Sequence, residues 1–194
     1  MEGAEKTQNS TFSEVLVLYK KRYGRMTVAA WLNSELERSN CFVTVLVGIL
    51  LTVAGIAVRA WVGSPYPTIL ALGISEITPP AWVMTPVWSL WFFVIGCAAG
   101  FVLAYRCPGI DGEKYRGVLL FVLLAFLELA WYPTLFGAQL VFLSVLESVG
   151  ALCLSLAVTF AFYRVTKFAG MLMLLHDVWL LYMMILNFAL LIRV

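Results

Sequence analysis

Four ionisable side chains interrupt long apolar stretches of this sequence. Glu128, Glu147 and Asp177 are the acids, and the chain's single histidine, His176, precedes Asp177. A carboxylate near the centre of a bilayer costs about 2.5–3.5 kcal/mol, so such residues usually face a cavity, move protons or bond another helix. We expect a functional role for Glu128. For Glu147 and Asp177, hydrogen bonding between helices is an equally good explanation.

The composition places these residues in a membrane protein. The chain has 194 residues, of which 62% are hydrophobic and 12% are charged. Soluble domains are about 45–50% apolar and about 25% charged. There are too few polar side chains here to cover a soluble surface, which excludes a cytosolic globular enzyme, a nucleic-acid-binding module and a disordered chain.

Five segments are long and apolar enough to cross a bilayer. About 30 Å of hydrocarbon requires about 20 apolar residues in a helix, which also satisfies the backbone groups that lipid cannot. The predicted helices cover residues 41–60, 82–105, 117–136, 140–163 and 169–192, with a tight connection at Gly137-Ala138-Gln139 and a turn-rich loop over residues 107–116. The predicted fold class is an all-α, five-helix integral membrane bundle formed by residues 41–194.

The distribution of basic residues predicts the orientation of this bundle. Eleven of the thirteen Lys and Arg residues fall on one side of the predicted membrane, and only Arg59 and Arg193 fall on the other. The positive-inside rule therefore predicts a cytoplasmic N-terminus and an external C-terminus, as in a bacterial cytoplasmic membrane. The loop from Trp61 to Pro80 then faces outward, where it could cover a ligand entrance.

The first forty residues form a basic extension with two open interpretations. Apolar residues recur at spacings of three and four beside a cluster of basic ones, a pattern typical of an amphipathic helix on an anionic membrane surface. The apolar positions are Phe12, Leu16, Tyr19, Tyr23, Met26 and Ala30. A partly ordered tail that only sets topology explains the same charges equally well.

Depth along the predicted helices brings several aromatic and polar residues to similar levels. Counted from the outer face at about 1.5 Å per residue, Trp88 and Trp131 lie roughly 8–9 Å deep and Glu128 roughly 13 Å. Trp179 lies roughly 20 Å deep, and Asn187 lies near the two shallower tryptophans. These side chains could line one cavity suited to a flat, largely apolar ligand, with Glu128 and Asn187 as polar anchors.

Two further patterns concern packing and metals. Gly96 and Gly100 form a GxxxG pattern with small residues between them, which allows close helix approach within the bundle or across a dimer. The four cysteines lack metal-ligand spacing, so neither a metal site nor a disulfide framework is predicted.

Three motifs resemble those of the TspO/MBR family, the tryptophan-rich sensory protein and translocator protein family that includes peripheral benzodiazepine receptor-like proteins. They lie in order on the second, third and fifth predicted helices. They are Pro79-Pro80-x-Trp82 followed by Trp88, Trp131 followed by Leu135-Phe136-Gly137, and Trp179-x-x-Tyr182-x-x-x-Leu186-Asn187. The resemblance covers roughly residues 41–192.

The resemblance implies a homodimeric bundle that binds porphyrins such as protoporphyrin IX or heme, sterols and other flat hydrophobic ligands under the first loop. The resemblance also implies roles in tetrapyrrole transport, sensing or breakdown, and we expect the protein to require no cofactor. Ala81 and Trp82 would lie at the pocket entrance, and Tyr182 would lie in the pocket beside Trp179. If the family's photo-oxidative porphyrin breakdown occurs here, Trp88 and Trp179 would carry it; the residues themselves suggest no other enzyme activity.

This sequence departs from the family pattern at positions that affect the ligand. Glu128 stands where the family usually has Asn, and Leu175-His176 replaces a Pro-Tyr pair. Met183 replaces a small residue and would narrow the pocket.

From the composition and the resemblance together, we expect a porphyrin-binding transport or sensing protein of the bilayer. The alternative is a proton-coupled small-molecule exporter that uses Glu128, Glu147 and Asp177.

Overall fold

A computed structural model describes residues 27–65, 80–106 and 108–193, and this part of the chain contains six α-helices. They are α1 (Val28–Arg38), α2 (Cys41–Val62), α3 (Ala81–Ala104), α4 (Asp111–Tyr132), α5 (Val141–Val165) and α6 (Lys167–Arg193). The last five are long and apolar enough to cross a membrane, which confirms the predicted fold class. The chain divides into two compact units, Met1–Glu37 and Arg38–Val194.

Two sequence predictions fall largely outside the described residues. The proposed amphipathic helix over residues 12–30 is described only from residue 27, where α1 begins at Val28. Most of the proposed outer loop, residues 66–79, also lies outside the described part.

The helix bounds differ from the predicted ones mainly at α4. This helix begins at Asp111 instead of residue 117, because Asp111 and Glu113 lie in its first turn, where carboxylates interact favourably with the positive end of the helix dipole. The Asp111-Gly112 pair therefore begins a helix and does not extend the loop. The last helix is also longer than the predicted 169–192.

Local chemistry sets two of the other helix ends. Asn40 caps α2, since its side chain accepts hydrogen bonds from the backbone N–H groups of Phe42 and Val43. At the opposite membrane face, α4 ends in a π-helical turn over Pro133–Gly137. Gln139 then adopts a left-handed backbone conformation (φ 56°), and this allows the chain to reverse into α5 within a few residues.

A close helix contact joins α3 to α2 through the two predicted glycines. A Cβ atom on Gly96 would lie 2.8 Å from the Cα of Gly48, and one on Gly100 would lie 2.8 Å from the Cα of Thr44. These distances leave no room for any side chain. The GxxxG pattern therefore packs α3 against α2 of the same chain, which decides between the two sequence interpretations in favour of packing within the bundle.

The other helices pack around a core that leaves an apolar exterior. Extensive contacts join α5 to both α4 and α6, and α6 also contacts α3. Phe92, Phe101, Leu124 and Phe162 are among the largest buried side chains. Large apolar residues such as Phe160 are exposed on the outside of the same helices, as expected of a surface that contacts lipid acyl chains.

Candidate functional site

Helices α3, α4, α5 and α6 surround a cavity of about 30 Å³, which is room for about two water molecules. Its walls combine aromatic rings with acidic, hydroxyl and imidazole groups. The lining residues are Trp88, Trp91, Phe92, Glu128, Trp131, Glu147, Ser148, Ala151, His176, Trp179, Leu180 and Met183. Each helix contributes residues spaced by one turn or less, so each presents one face to the cavity.

Four tryptophans supply most of the aromatic surface. Trp91 of α3 stacks on Trp179 of α6, with ring centroids 6.0 Å apart and an interplanar angle of 26°. Trp88 meets Phe92 edge to face, with centroids 5.0 Å apart. Trp131 enters from α4 and packs edge-on against Phe136. The stacked pair therefore joins α3 to α6 at the cavity wall.

A buried chain of polar side chains joins three helices beside the cavity. Glu128 Oε1 lies 3.4 Å from His176 Nε2, and His176 Nδ1 lies 3.4 Å from the Ser155 hydroxyl. Ser155 donates to one Asp177 oxygen at 2.5 Å, and Thr159 donates to the other at 2.7 Å. The chain thus runs from the cavity wall on α4 through α6 to α5.

The hydrogen bonds of Ser155 place His176 within this chain. Ser155 donates its hydroxyl proton to Asp177, so its oxygen is available as an acceptor for His176 Nδ1. The other ring nitrogen, Nε2, faces Glu128 Oε1.

Three buried polar atoms at the cavity have no hydrogen-bond partner in the described part of the chain: Glu128 Oε1, Glu147 Oε2 and Trp131 Nε1. The contact from His176 to Glu128 is within ion-pair distance but does not have hydrogen-bond geometry. The other oxygen of Glu147 accepts a hydrogen bond from Thr134 at 3.0 Å. Unpartnered buried polar atoms are costly, so their concentration here marks a place for water or a polar ligand group.

Five of the nine predicted site residues line this cavity: Trp88, Glu128, Trp131, Trp179 and Met183. Tyr182 packs on the ring of Trp179 at a centroid distance of 5.4 Å without lining the cavity. Trp82 is 78% exposed and lies on α3 more than one turn before the first cavity residue, Trp88. Ala81 is the first residue of α3 and does not line the cavity either.

Asn187, predicted as a polar anchor for the ligand, lies elsewhere in the bundle. Its side chain is buried, accepts a hydrogen bond from Ser144 at 3.2 Å and donates one to the Met183 carbonyl at 2.8 Å. The amide oxygen therefore joins α6 to α5, and the amide nitrogen bonds within its own helix. The sequence predicted a depth for Asn187, but depth alone does not specify the face of a helix.

Sequence reasoning missed Trp91 and His176 as lining residues. Each lies three residues from a tryptophan that was chosen, Trp88 and Trp179 respectively, and residues three apart share a helix face. Extending the predicted faces by one turn would have found both. Asp177, in contrast, is turned away from the cavity toward Ser155 and Thr159.

One cation lies near the aromatic cluster. The guanidinium of Arg59 stacks over the rings of Trp88 and Tyr132, at 5.7 and 5.6 Å from their centroids, and donates to Thr85 at 2.8 Å. These contacts anchor the outer end of α2 to α3 and α4. Arg59 does not line the cavity. Within the described ranges, no group of three His, Cys, Asp or Glu side chains could hold a metal ion.

These features define a multi-pass membrane protein with an internal cavity walled by tryptophans. The model of the TspO/MBR family matches residues 41–193, and the chain belongs to this family. It is 31% identical over 113 residues to the tryptophan-rich protein TspO of Chlorobaculum tepidum, an alignment that covers 58% of this chain and 70% of that protein. No solved structure matches the chain. Family membership supports a membrane protein with a sensory or transport-related role.

Proposed function

We propose that the protein binds a flat hydrophobic molecule in the tryptophan-walled cavity and transports or senses it. A tetrapyrrole such as protoporphyrin IX or heme is the ligand that the family resemblance suggests. The observation that carries the proposal is the convergence of Trp88, Trp91, Trp131 and Trp179 from three helices on one cavity. Aromatic walls of this kind offer large contact areas to a planar ring system.

Binding of a molecule of that size requires the cavity to widen. A cavity of about 30 Å³ holds about two waters and no tetrapyrrole. The stacked Trp91–Trp179 pair joins two different helices, so its separation would open space between α3 and α6. Ligand binding should therefore change tryptophan fluorescence directly, through ring contact as well as through helix movement.

We expect protoporphyrin IX to quench the tryptophan fluorescence of the detergent-purified protein saturably. Trp88→Phe and Trp179→Phe should each weaken binding roughly five- to tenfold, since each removes part of one aromatic wall worth about 1 kcal/mol. Trp82→Phe is the matched control, because Trp82 is exposed and outside the cavity. Equal, non-saturable quenching in all four proteins would contradict the proposal.

Met183 should limit the size of ligand that the cavity accepts. It is 7% exposed and lines the cavity, so Met183→Ala should raise the affinity for protoporphyrin IX several-fold while lowering the free energy of unfolding by about 2 kcal/mol. Titration and thermal unfolding in detergent measure the two effects. Met171→Ala, a substitution at a position 53% exposed on the same helix, should change neither quantity appreciably. Unchanged or weaker binding by Met183→Ala would show that this side chain is not a size limit.

A proton-coupled exporter is the second candidate, and the Glu128–His176 contact favours it. The two side chains lie 3.4 Å apart at the cavity wall, and polar contacts continue through Ser155 to Asp177. A proton carried by this pair could be displaced by a ligand that binds at Glu128, which is the elementary requirement of exchange. The candidate requires Glu128→Gln to abolish transport in proteoliposomes while ligand binding persists.

The proposed setting is a bacterial cytoplasmic membrane with the N-terminus in the cytoplasm. The excess of Lys and Arg on the side of the α3–α4 and α5–α6 connections supports this orientation. The ligand would then reach the cavity from the outer side, where α4 turns into α5. A homodimer is part of the same proposal and rests on the family resemblance; the Gly96–Gly100 face is occupied by α2 and is not its interface.

A further inference from the structure

We infer that the cavity selects ligands with a positively charged nitrogen, held between Glu147 and Glu128 while the flat apolar part of the ligand contacts the tryptophans. The inference rests on the proposed binding of a flat apolar molecule, and it favours flat cations over the carboxylate-bearing porphyrins that the family resemblance suggests. The unpartnered atoms, the charges and the aromatic rings around the cavity support it.

The unpartnered polar atoms are mainly hydrogen-bond acceptors. Glu128 Oε1 and Glu147 Oε2 are buried carboxylate oxygens without a donor in the described chain, whereas Trp131 Nε1 is one donor without an acceptor. A ligand ammonium or other cationic N–H group would satisfy the oxygens directly, and a quaternary nitrogen would do so through charge alone. A ligand carboxylate would meet two acceptors and one donor, which is the unfavourable combination.

The ionisable side chains around the cavity also favour a cationic ligand. Among the described lining residues, the ionisable side chains are Glu128, Glu147 and His176, with no Lys or Arg. Of the lining side chains, His176 alone can become a cation, and it faces Glu128, whereas the described partner of Glu147 is the Thr134 hydroxyl. Asp177 adds a further acid behind His176. Arg59 is occupied by the outer faces of Trp88 and Tyr132 and by Thr85.

The aromatic walls stabilise a cation in addition to the carboxylates. The face of a tryptophan ring attracts a cation more strongly than that of any other aromatic side chain, and the interaction is worth about 2 kcal/mol when both groups are desolvated. Four tryptophans line the cavity together with the acids Glu128 of α4 and Glu147 of α5. Aromatic faces combined with acidic groups are the chemistry that recognises organic ammonium ions.

A matched pair of small ring compounds tests the inference. N-methylquinolinium is a permanent cation, and quinoline is a flat ring of nearly the same size that is neutral at pH 8. We expect calorimetric titration in an uncharged detergent to show that the wild-type protein binds the cation roughly tenfold more tightly than quinoline. Glu147→Gln and Glu128→Gln should each reduce this ratio several-fold, because each should weaken binding of the cation far more than binding of quinoline.

Glu113→Gln is the matched control, because Glu113 pairs with Arg164 far along the chain from the cavity lining and its loss should leave the ratio unchanged. The two cavity variants lie on different helices, so one remains informative if the other fails to fold. Equal affinities for the two compounds, or a ratio insensitive to both cavity variants, would overturn the inference. If protoporphyrin IX binds saturably and neither small compound does, the inference fails while the proposed function stands. Failure of all three compounds to bind would remove both.

Discussion

Gly96→Val is expected to lower the free energy of unfolding by about 3 kcal/mol or more. A Cβ atom at this position would lie 2.8 Å from the Cα of Gly48 and 2.9 Å from the carbonyl oxygen of Val47. Both obstacles are backbone atoms, which cannot rotate aside as a side chain can. The helices α2 and α3 would have to separate along their main contact, and every contact along that face would weaken. Thermal unfolding of the detergent-purified protein, followed by circular dichroism, measures the loss.

Gly112→Val provides the control for this prediction. Gly112 lies in the first turn of α4, and a Cβ atom there would meet nothing within 4 Å. The substitution changes the same residue type in a helix without a steric conflict, so its effect should stay within about 0.5 kcal/mol. If Gly96→Val unfolds at the wild-type temperature, the close approach of α2 and α3 is incorrect.

The architecture of this protein could be predicted from sequence because membrane crossing imposes a strong and simple constraint. Twenty consecutive apolar residues have few alternatives to a helix, so five spans and their order follow from hydropathy. The start of α4 was harder, since Asp111-Gly112 is a common turn pair and equally a favourable helix N-terminus. The local sequence does not distinguish a turn from a helix start at this pair, and the structure shows the helix start.

The sequence predicted which site residues lie at similar depths along their helices, but only partly which of them face the cavity. Counting 1.5 Å per residue placed Trp88, Trp131 and Glu128 at neighbouring levels, and all three line the cavity. The same count placed Asn187 with them, although its amide bonds Ser144 between α5 and α6. A helix in lipid has no polar outer face to reveal its rotation, so the weak amphipathicity of these spans carries little directional information. The rotation of each helix about its own axis is set by contacts with other helices, such as the contact of Gly96 with α2. The GxxxG pattern predicts that such a contact exists but does not show which helix makes it.

Polar residues within the spans were expected to be paired or functional, and the structure places them in different surroundings. Glu128 and Glu147 face the cavity with unpartnered oxygens, while Asp177 receives two hydroxyl hydrogen bonds. Sequence reasoning could not separate them because all three are single acids in apolar surroundings. The separating feature is the hydroxyl pair on α5, Ser155 and Thr159, spaced four residues apart on one helix face.

Ser155→Ala should reveal how much this polar chain stabilises the bundle. The Ser155 hydroxyl donates to Asp177 and accepts from His176, so its removal leaves a buried carboxylate with one donor fewer and a buried imidazole N–H without an acceptor. We expect the free energy of unfolding to fall by about 1–3 kcal/mol, more than the average of about 0.6 kcal/mol for a hydrogen bond in a membrane bundle, because the acceptor is a buried acid. Thermal unfolding in detergent provides the measurement.

Ser148→Ala is the matched control on the same helix. Ser148 is also buried, but its hydroxyl donates to the carbonyl of Val145 in its own turn, so the substitution should cost little. Asp177→Leu supplies the second half of a double-mutant cycle: if the Ser155 hydroxyl acts through the carboxylate, Ser155→Ala should cost far less once Asp177 is replaced. Additive losses in the double variant would show that the two side chains do not interact, and the polar chain from Glu128 to Asp177 would then not exist as a connected unit. A strong coupling would instead establish that the Ser155 hydroxyl and the Asp177 carboxylate form one hydrogen-bonded unit between α5 and α6.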